Sequence, residues 1–149
     1  MSEKNFWNLI RNNLGLKMYR VENRVASGMP DVHYVSDKGS GWIELKYVPE
    51  FPRKGRFKAD IRPSQWLWHE TYQRHGGKSW LLIRVGRRGV VLVKGDRSRE
   101  IAKGISVHDV IEKADWSHMG NFDSEDWDNL KGAINEQSEK TSRDSGASK

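Results

Sequence analysis

Apolar residues recur along the chain with two different periods. Phe6, Trp7, Ile10 and Leu14 fall at three- and four-residue spacing, which predicts an amphipathic helix capped by Ser2 and ended by Gly15. The period then shifts to two. Residues 17–23, 30–36 and 41–47 read as strands, with loop signals Ser27 and Gly28 inside 24–29. The turn Asp37-Lys38-Gly39-Ser40 joins the last two strands into a hairpin. Pro49, Pro52 and Gly55 make 48–62 a loop, and Pro63 suits the first turn of a helix running to about His75. Residues 80–85 and 90–93 are short apolar runs that fit buried strands. Ser106 would cap a short helix over Val107–Lys113, and Ser124 a last helix with Trp127, Leu130 and Ile134 on one side. Beyond that helix, 135–149 is polar and aperiodic and reads as a disordered tail. The order predicts one domain over 1–134, of the α/β class, around a central mixed sheet of about five strands flanked by helices.

Composition narrows the function. The 149 residues are 36% hydrophobic and 31% charged, and no run approaches the ~18 apolar residues of a membrane-spanning helix. There is no cysteine, which removes disulfides and thiolate chemistry and fits a reducing compartment. The charged first residues are unlike a signal peptide, so a cytoplasmic location is expected (a bacterial host's cytoplasm if the chain is phage-encoded). Residues 1–110 hold 21 basic and 11 acidic side chains, a net of +10, while 111–149 carry a net of −4. A basic body points to a polyanion partner.

The hairpin carries the candidate chemistry. Strand alternation puts Asp31 and His33 on one face of the first strand, and Trp42, Glu44 and Lys46 on one face of the second. With the turn centred between Lys38 and Gly39, Asp31 would oppose Lys46 and His33 would oppose Glu44; an even-step shift keeps Asp31, Glu44 and Lys46 together. Two carboxylates suit a hard divalent cation with a phosphate, and a nearby lysine can orient water or stabilise developing charge. The same residues would also serve as ordinary cross-strand ion pairs, because Glu-x-Lys is common on exposed strands.

Gly28-Met29-Pro30-Asp31, the hairpin and Ile43-Glu44-Leu45-Lys46 resemble the PD-(D/E)xK nuclease signature. Gln65-Trp66-Leu67-Trp68-His69 resembles the Gln-x-x-Trp-His helix of the VRR-NUC branch and related phage nucleases, so the likeness spans roughly 17–85. It implies a restriction-endonuclease-like core and Mg²⁺-dependent cleavage of DNA, with Mn²⁺ able to substitute. Carried over, Asp31 and Glu44 would ligate metal, with the Leu45 carbonyl as a third ligand. Lys46 would position the attacking water, and Gln65 would hold the lysine, a water or a phosphate. Relatives often have a glutamate in the first helix. Here that helix has only Glu3, so Glu22 is the better extra acid, its other reading being an ion pair with Arg20 or Arg24.

Arg53, Lys54, Arg56, Lys58 and Arg62 flank this site and would meet DNA phosphates, with Phe51 or Phe57 packed on a sugar or wedged against a base; the other reading is a solvated mobile loop. Trp7, Trp42 and Trp80 are expected in the core, and His69 against the sheet. By family analogy the expected activity is a Holliday-junction or other branched-DNA resolvase acting as a homodimer. A nicking or general DNA-degrading nuclease and a non-catalytic DNA-binding module are the alternatives.

Overall fold

The computed structural model describes residues 3–22 and 26–147, with 136–147 as backbone alone. Ser2, the expected first cap, lies outside these residues. The elements are α1 (Glu3–Asn13), β1 (Lys17–Arg20), β2 (Val32–Ser36), β3 (Gly39–Val48), α2 (Pro63–Arg74), β4 (Ser79–Val85), β5 (Gly89–Lys94), a 3-10 turn (Gly95–Arg97), α3 (Ser98–Lys103), α4 (Val107–Lys113), β6 (Trp116–Met119) and α5 (Ser124–Ala147). One mixed sheet has its strands in sequence order, β1 to β6. β3 and β4 run parallel, linked by α2 as a crossover, and every other neighbouring pair is antiparallel.

The six strands exceed the predicted five because β6 pairs with β5 through Trp116–Met119, where Ser117 and His118 interrupt any apolar run. α3 was likewise invisible: its six residues place only Ser98 and Ile101 in the interior, too little for a helical period to show. α5 carries its helical backbone to Ala147, over most of the stretch read as a tail.

Each sheet face has its own core. On one face Phe6, Trp7 and Ile10 of α1 and Trp127, Leu130 and Ile134 of α5 pack on Tyr34, Ile43, Leu45, Trp80 and Leu82. On the other, Leu81, Ile83, Val91 and Val93 are covered by Ile101 and Val110, together with Phe57, Ala59 and Ile61. That second set corrects the reading of 48–62. Phe57 is fully buried and pairs its backbone with Ile105, so it cannot wedge into DNA. Phe57, Ala59 and Ile61 point inward while Arg56, Lys58, Asp60 and Arg62 stay exposed. The segment is therefore an extended strap with a two-residue period, anchored by its apolar side.

The caps agree with local chemistry. Ser106 Oγ accepts the Asp109 amide at 3.0 Å and starts α4 as expected. At α5, Asp123 takes the role expected of Ser124: its carboxylate accepts the Asp126 amide, and Asp126 returns the bond to the Asp123 amide. The Asp126 amide, above all, holds the Asp123 carboxyl below its usual pKa. The acidic stretch 123–128 is a helix start.

Candidate active site

β2 and β3 meet through the two-residue turn Asp37-Lys38, two residues shorter than the four-residue connection expected. The register moves by two as a result. Val32 opposes Ile43 and His33 opposes Trp42, so the next position outward sets Asp31 against Glu44, not Lys46. An even shift preserves faces, and Asp31, Glu44 and Lys46 still share one. Asp31 sits just before β2, where its carbonyl accepts the Val21 amide and its Oδ1 accepts the Leu45 amide at 3.3 Å. Asp31 and Glu44 are each only 4% exposed. A surface hairpin does not bury two adjacent carboxylates, because desolvating them is costly without cationic compensation.

α2 brings the third part of the site. Arg62 precedes its first residue, Pro63, and Gln65 at the third helical position reaches back so that Oε1 accepts the Arg62 amide at 2.9 Å. That is half of a capping box. The same oxygen accepts Lys46 Nζ at 3.2 Å. Gln65 is thus locked by the helix cap and in turn holds the lysine beside the two carboxylates.

One turn further, His69 is fully buried. Its Nδ1 lies 2.8 Å from Ser79 Oγ, and its Nε2 has no partner among the described residues. Burial, and secondarily the Lys46 charge, lowers its pKa to about 4, so the ring is neutral at ordinary pH. Gly95 closes over this pair: a Cβ there would stand 2.2 Å from His69 Nδ1 and 2.5 Å from Ser79 Oγ. His69 therefore packs against the sheet as expected, but Ser79 and Gly95, which seat it, carried no sequence signal.

The rings also depart from expectation. Trp7 and Trp80 are core, whereas Trp42 is half-buried on the site face. It belongs to a row that runs His33–Trp42–Trp68–Tyr72, with centroids 4.8, 6.0 and 4.6 Å apart. The row was hidden because its members come from three separate elements.

Glu22 is exposed, one residue beyond the Val21–Asp31 bond, and no described contact brings it to Asp31 or Glu44. Arg53, Lys54, Arg56, Lys58 and Arg62 are exposed along the strap, and Arg56 donates to the Gly104 carbonyl at 3.1 Å. Among the described residues, His108, Asp109 and Glu112 also bring ligand atoms close together, but they are exposed on the short α4, where His108 and Glu112 form an ordinary i,i+4 pair.

The chain is similar to Hjc of Archaeoglobus fulgidus, a Holliday junction resolvase from an archaeal hyperthermophile, with a TM-score of 0.52. The match covers 75% of this chain and 90% of that one. The two share an α/β fold, a mixed sheet with flanking helices. Sequence identity is only 16%, and no family model and no curated protein matches the chain. The resolvase-like fold thus accounts for the α/β class and the mixed sheet with its flanking helices. Among the described residues no helix is long and apolar enough to cross a membrane.

Proposed function

We propose that this chain is a metal-dependent DNA endonuclease that hydrolyses phosphodiesters in branched DNA, in the manner of a Holliday junction resolvase. The observation that carries the reading is the burial of Asp31 and Glu44 opposite one another, with Lys46 held on the same face by Gln65. Similarity to an archaeal Holliday junction resolvase supports it at the level of fold.

The donor set fits a hard divalent cation: two carboxylates and a strand carbonyl are all oxygen. Asp31, Glu44 and the Leu45 carbonyl would hold Mg²⁺, or Mn²⁺ in its place. Bound there, the ion would polarise the phosphodiester and favour ionisation of a water. The remaining work belongs to the chain. Lys46 orients the attacking water and offsets charge developing on the phosphate. Gln65 keeps Nζ in place. The exposed cations of the strap bind flanking phosphates without reading sequence. Glu22 is left out of the proposed ligand set because of its exposed position. Two symmetric cuts in a four-way junction call for two sites related by a two-fold axis, so the working species is a homodimer.

Labelled four-way junction and linear duplex, each incubated with Mg²⁺ or EDTA, test this directly. Paired junction cuts that disappear in EDTA are expected. Asp31→Ala, Glu44→Ala and Lys46→Ala should each lower single-turnover cleavage about 100-fold or more while junction binding persists. Equal cutting of both substrates would instead indicate a general nuclease. Binding without cleavage in Mg²⁺ or Mn²⁺ would leave only a DNA-binding module.

A further inference from the structure

Beside the candidate site lies an apolar groove that the chemistry above does not use. Its volume is about 380 Å³, and it is lined by Ser27, Ser64, Leu67, Trp68, Thr71 and Tyr72. The α2 members recur at i, i+3, i+4, i+7 and i+8, so they form one face of the helix that carries Gln65. The opposite wall is the segment leading into Asp31: Gly28 lies so close to the first turn of α2 that a Cβ would stand 2.0 Å from the Ser64 carbonyl oxygen. The groove therefore opens between the two chain segments that supply Asp31 and Gln65. Leu67 is 50% exposed at its mouth, and Trp68 and Tyr72 stack nearly parallel, 16° apart, along it.

We propose that this groove receives one unpaired nucleotide of the DNA next to the scissile phosphate, which makes DNA with an unpaired or splayed base at the cut the preferred substrate. The inference rests on the nuclease reading and deepens it. Three features favour a nucleotide over a peptide or a second copy of the chain. The lining pairs aromatic and aliphatic surface, on which a base packs whatever its identity, with four hydroxyls able to bond sugar or phosphate oxygens. Cations bracket it: Arg62 lies just before the Ser64 end, and Arg74 donates to Thr71 Oγ1 at 3.4 Å at the other. No acidic side chain lines it, and Glu70 of the same helix is drawn aside by Arg99. Of its lining, Ser64 adjoins Gln65 and Ser27 lies four residues before Asp31, so a strand crossing Asp31 and Glu44 needs only to rotate one base out of its stack to reach it.

The test reads binding and cleavage separately. 2-Aminopurine is placed beside the cut position, once unpaired in a splayed arm and once paired in duplex of the same sequence. With Asp31→Asn protein in EDTA, the unpaired probe should be quenched by stacking and the paired probe should not. In a Thr71→Phe background, which fills an exposed part of the groove without removing packing, the quench should be lost. In Mg²⁺ the wild-type chain should cleave the splayed substrate about tenfold faster than duplex, the size expected of one stacked base, and Thr71→Phe should bring that ratio near one. Equal quenching of both probes, or a wild-type ratio near one, overturns the groove assignment and leaves the nuclease reading standing. A Thr71→Phe protein that keeps the quench and instead changes its sedimentation overturns it in favour of a second copy. Absence of cleavage on every DNA overturns the nuclease reading, while the quench still decides the groove.

Discussion

His69 shows how one side chain ties chemistry to stability. The folded chain keeps its ring neutral down to a pKa of about 4, whereas the unfolded chain takes up a proton near the ordinary value of 6.5. Above pH 6.5 the two states bind the same number of protons at this ring. Below it the unfolded state gains a proton that the folded state refuses, and folding stability falls by about 3 kcal/mol by pH 4. Chemical denaturation between pH 7 and 4 should show that decline. His69→Gln, which cannot protonate, should flatten this part of the profile; an unchanged slope would mean that other groups carry it. At the same scale Gln65 answers to two donors through one oxygen. The resemblance put Gln65 at the site edge with the lysine, a water or a phosphate as its partner, but the Arg62 amide that pins it is backbone, and residue types alone do not show where a backbone donor points.

Among the elements, the loop into Asp31 is the most demanding. Gly28 has φ +82° and no room for a Cβ against Ser64. Gly28→Ala should therefore cost about 2 kcal/mol or more and shift Asp31 away from Glu44. Melting should drop, and cleavage should fall at least about tenfold with every site side chain intact. Gly132 in α5 is the contrast: a Cβ there meets nothing within 4 Å, and Gly132→Ala should raise stability by about 0.5–1 kcal/mol. Failure of the two glycines to separate in a melting experiment would remove the close-approach argument. α2 is held from its far side too, where Arg99 makes two 2.8 Å bonds to Glu70 and lies over the Trp66 ring. The hairpin was legible because a two-residue period survives a two-residue register error. The length of its turn was not, since Asp37-Lys38-Gly39-Ser40 accommodates more than one tight connection.

Across the whole molecule, charge and packing divide the work between the two sheet faces. One face is sealed by α1 and α5; the other carries the candidate site, α2 and the strap with its exposed cations. Replacing Arg53, Lys54 and Arg56 together with Ala should weaken DNA binding and reduce the slope of log K against log salt by about 2–3, close to one per lost phosphate contact. A binding titration from low to high salt measures this, and an unchanged slope would take the strap out of the interface. The sequence by itself determined the basic body, the α/β class and that Asp31, Glu44 and Lys46 share one face, because period, composition and motif are local properties of the chain. It also showed His69 as a residue that packs on the sheet. Tertiary structure decided that Asp31 opposes Glu44, that Phe57 is core, that Ser79 and Gly95 seat His69, and that rings from three elements form one row beside the site. Each of these depends on which distant segments meet, and contacts between segments far apart in the chain leave no periodic trace in either one.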